Sequence, residues 1–175
     1  MEWQKKGYIK KLINKWYLFS DIRMTDDLRY RISNSLYRPS YISLESTLSH
    51  YNLIPEAVYS VQNVTTRKTI IYDTPAGVFH YRSIKPHLFF GYTTDRSGTM
   101  PVMLADPEKA ILDYLYLNTT ITTIADLEGL RINIPVLNSI ISWEKLDTYL
   151  ACFESAVLHK RVALLKKIHD HAHIS

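Results

Sequence analysis

The segment Tyr41-Ile-Ser-Leu-Glu-Ser-Thr-Leu-Ser-His-Tyr-Asn-Leu-Ile-Pro-Glu56 decides how the chain divides between helices and sheet. Its apolar residues recur at intervals of three and four, which is the spacing of one helix face. We therefore predict a helix over 41–51 that docks on a sheet, with Asn52 as its left-handed stop. Pro55 then opens a short turn. The apolar face consists of Tyr41, Leu44, Leu48 and Tyr51.

Residues 58–104 are rich in β-branched and aromatic side chains, which favour strands. Turn-forming residues interrupt them at Pro75-Ala76-Gly77 and at Gly98. Because the connections are short, we expect neighbouring strands to pair in the antiparallel sense. The predicted strands are Val58–Thr66, Thr69–Thr74, Val78–Ile84, His87–Thr93 and Thr99–Leu104.

Helices are predicted on both sides of these strands. Thr25 is suited to cap a helix over 26–37, which Pro39 ends. After the strands, Asp106 is the expected cap of a helix that begins at Pro107 and ends near Asn118. Asp113 is interpreted as an ordinary polar position on that helix. Further helices are predicted at about 123–129, 142–152 and 155–170.

This order of elements predicts an α+β protein, with a mostly antiparallel sheet flanked by helices and a helical C-terminus. At the N-terminus, residues 2–6 predict a short helix that stops at Gly7. Two β-prone runs, 8–13 and 15–19, follow, with Asn14-Lys15 as their turn. A helix followed by a lysine-tipped ribbon has the shape of the wing in a winged-helix DNA-binding module.

We therefore divide the chain into a partial winged-helix segment, residues 1–24, and a larger domain, residues 25–175. A length of 175 residues fits one domain with a small appendage, and 46% hydrophobic residues indicate a real core. The single cysteine, Cys152, excludes an intrachain disulfide and a cysteine zinc cage, and it points to a reducing compartment. No apolar run approaches the roughly 20 residues of a membrane span. We expect a cytoplasmic protein that does not contact membranes.

The charge of the chain is uneven. Residues 1–40 carry nine Lys and Arg against four Asp and Glu, a net charge of +5, whereas residues 41–150 carry eight against eleven, or −3. A basic end attracts polyanionic partners over a distance. A solvated, lysine-rich surface is the alternative interpretation.

Six segments of the chain, taken in order, carry a recognisable pattern: Tyr41–Glu56 with Val64–Thr69, Thr74–Arg82, Ile84–Pro86, Leu88–Tyr92, Ala105–Tyr116 and Lys160–Leu165. Together they resemble the AbiEi family, the antitoxins of AbiE-type abortive-infection systems. Residues 3–17 also resemble the last part of the winged helix of that family. Asn52 stands where the family commonly has glycine, and both residues tolerate the left-handed conformation. A complete winged helix needs further helices before residue 1, so the module is either truncated or lost in this sequence. Operator DNA is expected as a partner only if the winged helix is complete.

The resemblance implies a non-enzymatic regulator without catalytic residues, cofactor or metal. It implies an antitoxin of a type IV toxin–antitoxin system, active in phage defence, that neutralises a nucleotidyltransferase-like toxin. A winged helix in this family binds operator DNA and represses transcription of the operon. Whether the antitoxin touches the toxin directly stays open.

Two groups of residues are candidates for binding nucleic acid. The ribbon lysines and Trp16 are suited to lie along a DNA backbone. Arg67 and Lys68, between two predicted strands, are expected on one sheet face with Arg82 and Lys85, where they would grip phosphate. A charged, solvated strand edge is the alternative. The predicted nucleic-acid-binding residues are Lys5, Lys6, Lys10, Lys11, Lys15, Trp16, Arg67 and Lys68.

Two other functions are kept as alternatives. One is a stand-alone protein-interaction module that does not bind DNA. The other, which is less favoured, is a small metal-dependent nuclease, which needs acids and a lysine to converge and would use Asp73, Glu45 and Lys68.

The C-terminal histidines also have metal-ligand spacing, but they lie where helices fray. They are His169, His171 and His173.

Overall fold

A computed structural model describes residues 2–56, 58–96 and 100–172 of the chain. Its helices are α1 (Glu2–Lys5), α2 (Asp26–Leu36), α3 (Leu44–His50), α4 (Pro107–Leu117), α5 (Ile124–Glu128), α6 (Ile134–Ile140), α7 (Trp143–Ala151) and α8 (Ala156–Ala172). Its strands are β1 (Ile9–Ile13), β2 (Trp16–Phe19), β3 (Ser40–Ile42), β4 (Ser60–Thr65), β5 (Ile70–Thr74), β6 (Gly77–Ser83), β7 (Tyr92–Asp95) and β8 (Val102–Ala105). The predicted α+β class and helical C-terminus are confirmed.

Six strands form one mixed sheet in the order β5-β6-β4-β3-β8-β7. Three neighbouring pairs are antiparallel, but β3 runs parallel to β8 and β4 runs parallel to β6. The sheet is therefore mostly antiparallel, as predicted, and neither of the two parallel pairs joins consecutive strands. The tight turn after Thr74 sends β6 back along β5, and β6 then inserts between β5 and β4. A short connection therefore does not guarantee that consecutive strands pair.

The predicted helix over 41–51 begins later than expected. Tyr41 lies in β3, where it pairs with Val64 of β4, and Leu44 turns the chain into α3 with a φ of 55°. The three residues of β3 are all buried, because the strand lies in the middle of the sheet. An interior strand is apolar on both faces, so its residues also satisfied the helical spacing.

The predicted strand over 87–93 is also wrong. A 3₁₀ turn occupies Pro86–Leu88, and β7 begins only at Tyr92. Gly91 has a φ of 71°, and a Cβ placed on it would lie 2.9 Å from Cε2 of Tyr149. Gly98 and Thr99, the predicted turn and strand start, lie outside the described residues. The helix α6 was not predicted.

The sheet separates two apolar cores. On one face, α2 and the N-terminal hairpin cover a core that includes Leu12, Ile32 and Phe79. On the other face, α3, α4, α7 and α8 cover a larger core that includes Leu112 and Leu158. Both faces of the interior strands are therefore covered, whereas the edge strands β5 and β7 keep exposed residues.

The short helix and the ribbon at the N-terminus are confirmed as elements. Lys15 occupies the turn with a φ of 67°, and β1 and β2 form a separate two-stranded sheet. Leu12 packs in the core under α2, so this segment is joined to the body of the protein. Its identification as a winged-helix remnant, like the boundary at residue 24, stays a prediction. Within the described part of the chain, no helix combines the length and apolarity that a bilayer crossing requires.

Candidate nucleic-acid surface and buried polar core

The ribbon lysines do not share one face. Lys10 pairs with Leu18, and Lys11 pairs with Tyr17, so the two lysines point to opposite sides of the hairpin. The pairing register shifts between Lys11 and Ile13, and Leu12 at this irregularity is buried against the body. The ribbon therefore offers its charges in two directions, with Lys15 at the tip.

Lys5, Lys6 and Trp16 complete the predicted N-terminal group. All three are exposed, and Trp16 keeps 36% of its surface accessible. The ammonium of Lys6 lies 2.7 Å from a carboxylate oxygen of Glu2. Both side chains of this pair are more than half exposed, so it contributes little stability and leaves Lys6 available. We call Lys5, Lys6, Lys10, Lys11, Lys15 and Trp16 the N-terminal basic surface.

Arg67 and Lys68 lie in the loop between β4 and β5. The Arg67 guanidinium stacks 4.4 Å from the centroid of the Tyr37 ring, and Nη1 donates to the carbonyl of Arg38 at 3.2 Å. The Tyr37 hydroxyl donates to the carbonyl of Lys68 at 3.1 Å. These contacts orient Arg67 while both side chains stay exposed, which suits an anion contact.

Arg82 does not join them, and the prediction of one shared sheet face is wrong for it. Its Nη1 donates to Oδ1 of Asn118 at 2.8 Å, and its Nη2 donates to the carbonyl of Leu117. Arg82 therefore binds the C-terminal end of α4, on the face opposite Tyr37 and Arg67. The free carbonyls at a helix end are natural acceptors for arginine.

Arg161, on α8, binds the same end of α4 and was missed in the sequence. Its Nε donates to the carbonyl of Ile121 at 2.7 Å, and its two terminal nitrogens donate to Leu115 at 2.7 Å and to Thr119 at 2.9 Å. Only 7% of Arg161 is exposed. An arginine within an apolar helical run was the available signal, and it fell inside the resembling segment Lys160–Leu165.

Lys109 and Asp113 form a fully buried ion pair, so the interpretation of Asp113 as an ordinary polar position is wrong. Asp113 Oδ2 accepts hydrogen bonds from the hydroxyls of Tyr41 at 2.9 Å and Ser43 at 2.8 Å. The Lys109 ammonium also donates to the Tyr41 hydroxyl at 2.8 Å. This network joins α4 to β3 and the start of α3.

Burial controls the titration of this network. It lowers the pKa of Lys109 and raises the pKa of Asp113, and the charge of each partner opposes the shift of the other. Burial, followed by the charge of Asp113, raises the pKa of Tyr41 well above its usual value. All three groups are shielded from solvent, so their arrangement serves to hold elements together.

Asp106 precedes α4 as predicted, but its carboxylate makes no capping bond to the helix. Its Oδ2 instead accepts from the Tyr149 hydroxyl at 2.9 Å and lies 3.0 Å from the Lys145 ammonium. The two partners lie on α7, and Pro at the first helical position leaves one backbone donor fewer to cap. Asp106 thus connects two helices.

The acids of the nuclease alternative are not brought together. Asp73 is exposed on β5 at one edge of the sheet, whereas Glu45 lies on α3, two strands away from that edge. Across the described residues, no three His, Cys, Asp or Glu side chains are grouped as metal ligands. His169 lies beside the Trp143 ring, with 5.0 Å between centroids. The side chain of His171 and all of His173 lie outside the described residues.

Comparison with models of known protein families gives no match for this chain, and comparison with curated proteins gives none either.

Proposed function

We propose that the protein is the antitoxin of a type IV toxin–antitoxin system, of the kind formed by the AbiEi family. In this proposal it acts in the cytoplasm without enzymatic activity, counteracts a nucleotidyltransferase-like toxin, and takes part in transcriptional autorepression of its operon. The ordered segments that resemble the family are the first support for it.

One structural observation carries the proposal further. Tyr41 and Asp113, which come from two different resembling segments, are joined by a buried hydrogen bond of 2.9 Å. Arg161, from a third segment, donates to Leu115 of the same helix. Segments that are scattered along the sequence therefore meet around α4. This supports a common structural unit as the origin of the signature.

The N-terminal basic surface supports the DNA-binding part of the proposal. Its five lysines are exposed, and residues 1–40 have a net charge of +5. Lysine contacts to phosphate give affinity without selecting a sequence. Arg67 adds a further exposed guanidinium.

Growth rescue tests the proposal. The toxin encoded beside this protein is expressed alone and then together with it, and relief of the growth arrest is expected. Replacement of Lys5, Lys10, Lys11 and Lys15 by Ala should weaken operator binding and leave the relief in place. Lys160→Ala with Lys167→Ala, at exposed positions on α8, is the control. Growth arrest that persists at full expression of the folded protein contradicts the proposal.

A stand-alone protein-interaction module is a second candidate, and Tyr59 favours it. This side chain is 92% exposed between two grooves, one of which is lined by Glu45, Glu56 and Asp126. Exposed tyrosines are frequent anchors at protein interfaces. Titration against the promoter over a series of salt concentrations separates the candidates, because the module predicts no salt-dependent, promoter-preferring binding.

A further inference from the structure

The N-terminal segment exposes an unusual share of aromatic surface. Of the eight large hydrophobic side chains that are exposed among the described residues, five lie between Trp3 and Ile22. Trp3 is 58% exposed, Tyr8 61% and Phe19 55%. Apolar side chains that are grouped on a surface, rather than scattered singly, mark a binding site.

The backbone gathers these three rings around one cleft. The amide of Tyr8 donates to the carbonyl of Trp3 at 3.0 Å, and the amide of Ser20 donates to the carbonyl of Tyr8 at 2.9 Å. Trp3, Tyr8 and Phe19 line the cleft together with Gly7, Ser20 and Asp21. No contact between any two of these rings is found in the described part of the chain. The rings therefore do not stack on one another, and each keeps more than half of its surface exposed.

The charges around the cleft identify the ligand. Residues 1–24 carry six Lys and Arg against two Asp and Glu, a net charge of +4. The lysines of this segment are exposed and are not among the residues that line the cleft, whereas Asp21 is one of them. The lysines near the cleft attract phosphate groups, whereas the carboxylate of Asp21 inside the cleft repels them. A polymer with flat bases and a charged backbone meets both conditions.

We propose that this cleft stacks the unpaired bases of a single-stranded nucleic acid, while the surrounding lysines bind its phosphates. Paired bases are covered by their neighbours in a duplex, so only unpaired bases present a face to Trp3, Tyr8 or Phe19. The Asp21 carboxylate can accept a hydrogen bond from an exocyclic amino group. The inference shares the N-terminal lysines with the proposed operator contact and goes beyond it, because the operator is a duplex and the cleft takes unpaired bases.

Fluorescence anisotropy of labelled strands of about 12 nucleotides tests the inference with the full chain. The probes are oligo-dT, oligo-dC, oligo-U and a DNA duplex of the same length. Trp3→Ala, Tyr8→Ala and Phe19→Ala should each weaken single-strand binding by about 5-fold to 100-fold. Val157→Ala, at a site on α8 that is 56% exposed, is the matched control and should change nothing.

Salt dependence separates stacking from phosphate contact. Between about 50 mM and 200 mM salt, the ring variants should keep the slope of log affinity against log salt concentration. Lys5→Ala and Lys10→Ala should each reduce that slope by about 0.7. Tryptophan fluorescence adds a direct reading: in the Trp16→Phe, Trp143→Phe background, bound oligo-dT should quench the emission of Trp3. A preference of oligo-dC over oligo-dT that Asp21→Asn removes would support the amino contact.

Several results overturn the inference. These are the absence of single-strand binding at about 50 mM salt, equal affinity for duplex and single strand, or ring variants that behave as Val157→Ala does. Duplex binding without single-strand binding removes this inference and leaves the proposed function intact. Single-strand binding without rescue from the toxin supports this inference and contradicts the proposed function. A further probe, oligo-dU, differs from oligo-U only in the sugar. Equal affinities for these two probes mean that the sugar is not read, and a difference between them identifies DNA or RNA as the ligand.

Discussion

Lys109 and Asp113 form an ion pair in which neither side chain reaches solvent. The two residues stand four positions apart on α4, about one helical turn. Tyr41 and Ser43, which lie outside that helix, form hydrogen bonds with the pair. The rings of Tyr41, Phe90 and Phe153 also surround the Lys109 ammonium, at 5.1 to 5.4 Å. A charged group that is enclosed in this way depends on its partner for its stability.

Asp113→Ala should destabilise the protein by about 3–5 kcal/mol, because it leaves the Lys109 charge buried without a partner. The double replacement Lys109→Met, Asp113→Leu should be much less destabilising than Asp113→Ala alone, since it removes both charges. Urea unfolding measures both. The exposed pair Lys166–Asp147 is the control, and Asp147→Ala should cost less than about 1 kcal/mol. Equal losses in the buried and exposed pairs would refute the account.

Arg161→Met should destabilise the protein by about 3 kcal/mol or more, because three buried carbonyls lose their donor. Arg161→Lys should recover only part of the loss, since one ammonium cannot reproduce the fork of a guanidinium. Thermal and urea unfolding of both variants test this. Lys160→Met, at the exposed neighbouring position, should have little effect. A fully stable Arg161→Met protein would show that water replaces the arginine.

The stabilisation of α5 by Asp126 should be lost at acidic pH. Hydrogen bonds from the amides of Thr122 and Thr123 lower the pKa of its carboxylate to about 2. A lowered pKa means that the stabilisation is present above the unfolded value of about 4. It is lost as the pH falls through about 2. The advantage of the wild type over Asp126→Asn should therefore shrink across this window, and titration by NMR should locate the pKa directly. An unshifted pKa contradicts the prediction.

Gly91→Ala should be more harmful than Gly7→Ala. Both glycines have a positive φ, of 71° and 75°, so both variants incur the left-handed penalty of about 1–2 kcal/mol. The added Cβ at position 91 also lies 2.9 Å from Tyr149 and 3.0 Å from Lys109, whereas at position 7 it meets nothing within 4 Å. The difference between the two losses in unfolding free energy therefore measures the clash. If they are equal, the core accommodates the methyl group.

Replacement of Arg67 and replacement of Arg82 should have different effects on DNA binding. If the proposed function holds, Arg67→Ala lowers affinity and reduces the salt slope by about 0.9, the contribution of one phosphate on duplex DNA. Arg82→Ala should leave the slope unchanged and lower stability, because its guanidinium is bound to the end of α4. Gel titration and urea unfolding of both variants provide the two readings. A slope that changes only in Arg82→Ala would reverse these assignments.

Short-range features of the fold were predictable from the sequence. Thr25 caps α2 by accepting from the amide of Leu28 at 3.2 Å, and the turn after Thr74 joins β5 to β6. The N-terminal helix and ribbon also appear where Gly7 and Asn14-Lys15 placed them. Each of these depends on contacts within a few residues, so local preference decides it.

The misplaced elements have a different cause. Tyr41 matched the helical spacing, but pairing with β4 and the parallel neighbour β8 held it in a strand. The aromatic run around Phe90 looked β-prone, yet Gly91 packs against Tyr149 and turns the chain. In both places the deciding partner lies far away in the chain, so tertiary packing overrides local preference.

By itself, the sequence determined the α+β class, the uneven charge and most helix starts, because these follow from composition and neighbouring residues. Only the tertiary structure decided which charges are buried. Lys109 and Asp113 stand four apart, a spacing that also describes an ordinary pair on a solvated helix face. Nor does the sequence show that the guanidiniums of Arg82 and Arg161 bind at the C-terminal end of α4. Whether a charge meets water or a buried partner depends on which elements cover it, and those elements come from distant parts of the chain.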